Sequence, residues 1–166
     1  MFRADTVFTP VFKRFYTVNF VTGAGAAVDS LTVLEGEGVT LPGSDRDGYE
    51  FRGWTATGLE GERLAEGDHL WPEGDMTLYA VWRKAEVTVR IVRAGGTGNS
   101  ATYTEAVTGA DITISGLNRN FASGTVSVYV DGVQLAANQY TRGGSWYQGY
   151  YLTIYASALP GEEISE

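Results

Sequence analysis

Residues 48–54 read Gly-Tyr-Glu-Phe-Arg-Gly-Trp and decide the fold of the first half of this chain. Aromatic and charged residues alternate there, and a second apolar stretch, Leu-Tyr-Ala-Val-Trp, follows at residues 78–82. We expect the rings to be buried against this late strand, beside Leu78 and Val81, because buried aromatic side chains stabilise a small β-domain. The predicted structural motif comprises Gly48, Tyr49, Phe51, Gly53, Trp54, Leu78, Tyr79, Val81 and Trp82.

Composition predicts a mainly β protein. The chain has 166 residues, of which 43% are hydrophobic, so it is long enough for one large domain or two small ones with packed cores. It contains 22 glycines and 4 prolines, and many of the remaining residues are Val, Thr, Tyr and Phe. This mixture favours short strands joined by tight turns.

Charge and cysteine content argue against several function classes. The net charge is −8 and no basic stripe is present, which argues against nucleic-acid binding. The chain has no cysteine, so disulfides, thiolate metal sites and cysteine nucleophiles are excluded. No apolar run reaches the 18 residues typical of a membrane span, and we expect no membrane insertion.

An internal echo links residues 5–14 to residues 75–84. Each stretch is an apolar strand that ends in two basic residues, and the second copy lies 70 residues after the first. The echo predicts a tandem repeat, in which residues 1–14 carry the terminal strand of a preceding repeat or an augmenting arm. We expect residues 5–14 to be held by strand pairing, either within the chain or by self-association, with Pro10 facing away from its partner.

Residues 15–84 form the first complete unit. The order of its motifs is a strand, then Gly-Glu-Gly-Val-Thr-Leu-Pro at 36–42, then the aromatic stretch, then Gly-Asp-Met-Thr-Leu-Tyr-Ala-Val-Trp at 74–82. This order resembles the Listeria–Bacteroides repeat, the B-repeat of internalin-type proteins. The resemblance implies a small β-grasp-like domain of a kind that occurs in tandem on bacterial surface proteins.

Residues 85–166 form a second predicted β-domain. Four β-rich stretches are separated by turn signals such as Asp131-Gly132, and this pattern fits a sandwich. The stretches at 126–141 and 151–164 resemble Ig-like modules of bacterial surface proteins and phage fibres. Because residues 83–86 contain no Gly, Ser or Pro, we expect a short, stiff junction between two separate domains whose strands do not share a sheet.

Candidate catalytic and metal-binding residues are few. Asp45-Arg46-Asp47-Gly48 resembles the start of a calcium-binding loop. The Arg46 cation and the absence of a distal glutamate ligand favour a simple turn instead. His69 is the only histidine, and the acidic residues of the loop at 60–75 alternate with glycines, which is typical of a solvated surface. We therefore predict no enzyme activity, no cofactor and no metal.

A cluster of aromatic residues near the C-terminus is the candidate binding site. We predict that Trp146, Tyr147, Tyr150 and Tyr151 stack on sugar rings and form the ligand contacts. In the alternative interpretation, Tyr150 and Leu152 point into the core while Trp146 and Tyr147 cover a sheet edge.

These features predict a non-enzymatic structural or adhesive module of a bacterial cell-surface protein, which acts as a spacer or contact surface. Its partner would be a protein or glycan on a host or neighbouring cell. Two alternatives remain open: a carbohydrate-binding module, and a phage virion fibre or decoration component, which is suggested by a start at Met1 without an apolar signal sequence.

Overall fold

The structure, a computed structural model, describes residues 10–95, 99–122 and 124–166, and it is mainly β, as predicted. The first half contains β1 (Phe15–Val21), β2 (Leu31–Leu34), β3 (Val39–Thr40), β4 (Tyr49–Thr55), β5 (His69–Leu70) and β6 (Met76–Lys84). The second half contains β7 (Glu86–Arg93), β8 (Ser100–Ala106), β9 (Ile112–Leu117), α1 (Arg119–Ala122), β10 (Val126–Val130), β11 (Val133–Gln134), β12 (Tyr140–Ser145), β13 (Gly149–Ile154), a 3-10 turn (Ala156–Ala158) and β14 (Glu162–Ile164).

The first sheet is mixed, with strand order β2-β1-β6-β4. Its two central strands, β1 and β6, are parallel, whereas β2 and β4 pair antiparallel with their neighbours. The short strands β3 and β5 form a separate antiparallel ladder. A parallel pair flanked by antiparallel strands fits the predicted β-grasp-like domain.

The core of this domain forms around two tryptophans. Trp54 and Trp82 are both fully buried, and Leu78 and Ala80 pack with them. Residues 78, 80 and 82 share one face of β6 because side chains alternate along a strand. The predicted burial of Trp54 near Leu78 is confirmed, and Tyr49 and Phe51 pack against the same core while remaining partly exposed.

Val81 corrects one part of this prediction. Its side chain is fully buried, but it does not belong to the cluster that holds Trp54. It faces the opposite side of β6, together with Tyr79, because both lie one residue out of phase with Leu78. The whole run from Leu78 to Trp82 is apolar, and such a run conceals which residues share a face.

The second half is a two-sheet β-sandwich. One sheet has the order β11-β10-β7-β8 and the other β12-β13-β9. Side chains from both sheets, including Val89 and Val128 from the first and Ile114, Leu152 and Ile154 from the second, form a single buried cluster. The four-to-three division of strands is that of constant-type immunoglobulin domains, and a relation to Ig-like modules stays a prediction.

The chain returns to the first sheet after the sandwich is complete. Strand β14 pairs antiparallel with β6, with Glu162 opposite Arg83 and Ile164 opposite Val81. The prediction that strands of the two halves do not share a sheet is therefore wrong. Residues 162–164 follow Pro160-Gly161, which carry the chain out of the sandwich and back to the first domain. The domain division near residue 85 stays a prediction, although the two hydrophobic cores are separate clusters.

Residues 10–14 lie in no strand of the structure. Val11 and Phe12 are 85% and 87% exposed, and the ladder between β1 and β2 ends with the hydrogen bond from Glu35 N–H to Arg14 O. The predicted pairing within the chain is thus wrong for residues 10–12, while residues 5–9 lie outside the described residues. Pairing with another molecule stays a prediction.

Candidate functional site

The aromatic motif of residues 49–54 is part of a packed core. The Trp54 ring lies 4.7 Å from Phe20 and 5.1 Å from Phe51, measured between ring centroids, and Phe51 lies 5.4 Å from Trp82. The indole N–H of Trp54 donates to the carbonyl oxygen of Pro42 at 2.6 Å. With its ring buried and its one polar atom bonded, Trp54 stabilises the domain and presents no surface to a ligand.

Gly53 allows Trp54 to reach this position. The pairing of β4 with β6 shifts register between Phe51 and Trp54, and Gly53 there has φ = +108°. A side chain at this position would bring its Cβ to 2.5 Å from the carbonyl oxygen of Leu64. The close approach lets Trp54 and Leu64 exchange two backbone hydrogen bonds of 2.7 and 2.9 Å.

The stretch Asp45-Arg46-Asp47-Gly48 is a turn, and the Arg46 side chain packs on a neighbouring ring. The Arg46 guanidinium lies 3.6 Å from the centroid of the Tyr49 ring and forms an ion pair with Glu163. Arg46 thus connects the aromatic motif to β14. Among the described residues, no group of three or more His, Asp or Glu side chains is placed to hold a metal ion.

A network of ion pairs surrounds β14. Glu162 accepts hydrogen bonds from Arg52 and Arg63, each at 3.1 Å. Burial alone would raise the pKa of Glu162, but the two guanidinium groups outweigh it and hold the pKa below the usual glutamate value. Glu50 next to it is bonded by Arg83 at 2.5 Å and by Arg52 at 2.9 Å, and the Arg83 hydrogen bond is the main cause of its lowered pKa.

The junction between the halves is fixed by backbone and side-chain bonds. Ala85 is the only residue between β6 and β7. Its N–H donates to Gly48 O at 2.9 Å, and its carbonyl accepts from Val107 N–H at 2.8 Å. Across the same junction, Arg83 donates to Thr108 O at 2.9 Å.

Lys84 and Asp131 add a second bridge at this point. Lys84 Nζ lies 2.6 Å from Asp131 Oδ2, and the Thr88 N–H donates to Asp131 Oδ1 at 2.9 Å. Partial burial would raise the pKa of Asp131, but the bonds from Lys84 and Thr88 outweigh this effect and lower it. These residues line an open hollow of about 420 Å³ at the junction.

The structure separates the four predicted ligand-contact residues into two groups. Trp146 and Tyr147, at the β12–β13 turn, are 77% and 94% exposed, and Tyr151 is 39% exposed. Tyr150 packs against the sandwich core with Leu152. Tyr150 and Leu152 thus point into the core, as in the alternative interpretation, but Trp146 and Tyr147 are exposed at the turn and do not cover a sheet edge. Ligand binding by the exposed rings stays a prediction.

Sequence reasoning missed the polar residues that share a face with Tyr151. Thr113, Ser115 and Thr153 lie on this outer face, because they alternate with the buried Ile112, Ile114, Leu152 and Ile154. The hydroxyls of Thr113 and Thr153 lie 2.9 Å apart. Period-two alternation could have identified these residues, but only the long-range pairing of β9 with β13 brings them to Tyr151.

His69 and Trp71 line a hollow of the first domain, whose volume is about 440 Å³. The rings of these residues are 6.0 Å apart, and Trp71 is 61% exposed. A Cβ on Gly38 would come within 2.8 Å of the Trp71 indole nitrogen, so the ring lies directly on this backbone. Trp71 therefore packs the β5–β6 connection onto the β2–β3 turn.

About half of this chain is similar in sequence to a known protein. A protein of Evansella cellulosilytica, named "Putative Gly-rich membrane protein", is 32% identical over 94 residues, which are 54% of this chain. The chain spans about a tenth of the length of this curated relative. No solved structure matches.

Within the part of the chain that the structure describes, no helix is long and apolar enough to cross a membrane.

The family model of the Listeria-Bacteroides repeat domain matches residues 16–81. This stretch coincides with the first β-domain, so the resemblance predicted for it is confirmed, and together with the relative it fits a module of a surface protein.

Proposed function

We propose that this chain is a non-enzymatic structural module of a bacterial cell-surface protein and acts as a stiff spacer. The match of residues 16–81 to a repeat family and the similarity to a protein named as a membrane protein support the surface location. The net charge of −8 supports solubility outside the cell. The observation that supports the spacer role is the structure of the junction between the two halves.

Stiffness follows from the way the chain crosses this junction twice. On the first crossing, Ala85 alone separates β6 from β7, and it is bonded to both sides. A flexible linker needs several residues free of such bonds. On the second crossing, β14 returns from the sandwich and pairs with β6.

Strand β14 returns to the first sheet at an edge of β6 that β1 leaves unpaired. Strand β1 accompanies β6 only as far as Tyr79, opposite Val21. Because β4 occupies the other side of β6, the side that β1 leaves is open from residue 80 onward, and β14 fills it. An unpaired strand edge in this position would expose backbone donors and acceptors, so pairing stabilises both modules together.

The carboxylates at the junction support the non-enzymatic part of the proposal. A general acid at neutral pH needs a carboxyl whose pKa is raised. The pKa values of Glu50, Glu162 and Asp131 are instead lowered by cationic partners. Carboxylates in this state form stable ion pairs and suit a structural role.

Calorimetry tests whether the two halves form one mechanical unit. The parent protein should unfold in a single cooperative transition, whereas a variant that ends at Leu159 lacks β14 and should show two transitions, the first domain melting earlier. Leu159 is kept because it packs on the sandwich core. Two transitions in the parent, or an unchanged profile in the shortened variant, would contradict the spacer proposal.

A further inference from the structure

The outer face of the β12-β13-β9 sheet carries no charged side chain. It is formed by the residues that alternate with the buried ones and face each other across the ladders: Thr113, Ser115, Thr141, Gly143, Ser145, Gly149, Tyr151 and Thr153. Every member is a hydroxyl residue or a glycine. Residues 143–155 contain no charged residue at all, in a chain that is 19% charged.

An aromatic ring lies flat across this face. Tyr151 is directly opposite Gly143, and a Cβ placed on Gly143 would come within 2.5 Å of the Tyr151 hydroxyl and 2.6 Å of ring carbon Cζ. The ring therefore covers the glycine backbone and turns its other side to solvent, since Tyr151 is 39% exposed. Glycine at position 143 allows this close approach, because a side chain there would push the ring away from the backbone.

Two further exposed rings stand at the end of the same face. The hairpin turn after Ser145 carries Trp146 and Tyr147, and the Gln148 N–H donates to the Ser145 hydroxyl at 3.2 Å. An exposed tryptophan and an exposed tyrosine thus follow directly on a row of hydroxyl groups. Amphipathic rings beside hydroxyl groups offer stacking surfaces and hydrogen bonds together.

The outer face of the β11-β10-β7-β8 sheet is charged, and its aromatic ring is in contact with a cation. This face carries the exposed charges Glu86 and Arg90, and the Arg90 guanidinium lies 5.0 Å from the centroid of the Tyr129 ring. The Arg90 side chain thus makes a cation–π contact with the aromatic ring of that face. Only the β12-β13-β9 face combines an open ring with an uncharged surface within this sandwich, as far as the structure describes it.

We propose that the β12-β13-β9 face binds an uncharged polysaccharide. The apolar faces of sugar rings would stack on Tyr151 and Trp146, while sugar hydroxyls would exchange hydrogen bonds with Thr113, Ser115 and Thr153. An uncharged ligand is favoured because the face has no charge to offer an ionic partner, and because the net charge of −8 repels polyanions.

Affinity gel electrophoresis tests the proposal with the intact chain, which migrates readily because it is acidic. The probes are hydroxyethylcellulose, galactomannan, dextran and laminarin as neutral polymers, and polygalacturonate as an anionic one. At least one neutral polymer should retard the protein and polygalacturonate should not. The Tyr151→Ala and Trp146→Ala variants should each weaken retardation by about tenfold.

Tyr129→Ala is the matched control, since it removes a ring from the opposite sheet and should leave retardation unchanged. Circular dichroism of each variant checks that the fold is kept. The proposal is overturned if no neutral polymer retards the parent, or if the Tyr151→Ala/Trp146→Ala double variant is retarded as strongly as the parent. It is also overturned if light scattering shows a dimer that Tyr151→Ala dissociates, because a second copy would then cover this face.

Discussion

The indole N–H of Trp82 donates a hydrogen bond of 2.8 Å to the hydroxyl of Ser165, and both side chains are buried. These residues lie 83 positions apart, one in the repeat motif of the first domain and one at the end of the chain. Ser165 also donates its backbone N–H to Ala80 O at 2.9 Å. The segment that follows the sandwich thus completes the core of the first domain.

Replacing Ser165 by Ala should lower the free energy of unfolding of the protein by about 1–3 kcal/mol, because the buried indole N–H of Trp82 would lose its acceptor. Chemical denaturation followed by tryptophan fluorescence measures the change. Ser115→Ala removes an exposed hydroxyl and serves as the control, with an expected change within about 0.5 kcal/mol. Equal stability of the two variants would show that the Trp82–Ser165 bond has no stabilising effect.

Replacing Trp54 by Ala should cost about 3–5 kcal/mol, since it empties the centre of the first core and leaves the Pro42 carbonyl unbonded. Trp146→Ala removes a ring that is 77% exposed and should leave stability nearly unchanged. The comparison uses the same denaturation experiment. A small effect at Trp54 would contradict its assignment to the core.

Gly53→Ala should destabilise by about 1–3 kcal/mol or more, because alanine is strained at φ = +108° and its Cβ would collide with the Leu64 carbonyl. Gly74→Ala is the matched control, since nothing lies within 4 Å of a Cβ at that position and its φ is not positive. Thermal unfolding of both variants distinguishes local strain from a general effect of losing glycine. Similar melting temperatures for the two would refute the explanation given for Gly53.

Acid should weaken the attachment of β14. The folded-state pKa of Glu162 lies below its usual value, so its stabilising contribution is complete above about pH 4.3 and is lost as the pH falls through the folded-state pKa. Melting temperatures measured between about pH 6 and pH 3 should therefore fall more steeply for the parent than for Glu162→Gln. Glu60→Gln, in an exposed loop, should follow the parent curve. Parallel curves for all three proteins would exclude a role for Glu162.

The first domain could be predicted well from sequence because its signals are local. Alternating rings at 49–51, the glycine before Trp54 and the late apolar strand each specify their own segment, and the family match covers the same stretch. The side of β6 on which Val81 lies could not be read, because residues 78–82 are apolar on both faces.

The return of β14 was missed for a different reason. This strand has only three residues, Glu162–Ile164, and two of them are acidic, so no periodic pattern marks it. Its partner on β6 lies some 80 residues earlier, and its position depends on the edge that β1 leaves open. The face around Tyr151 was only half predicted, since its rings are visible in the sequence while the hydroxyls of β9 join them through pairing alone.

A distance measurement between spin labels tests the central claim, that the two halves are one stiff unit. The chain has no cysteine, so Glu60→Cys and Asn138→Cys place one label on each half at exposed positions. A second pair, Thr108→Cys and Asn138→Cys, lies within the sandwich and gives the reference width.

Double electron–electron resonance should give one distance between the halves, with a distribution as narrow as that of the reference pair. The same labels should give a broad distribution in a variant that ends at Leu159 and carries a Gly-Ser insertion after Ala85, because both crossings of the junction are then released. A broad distribution in the parent itself would contradict the account.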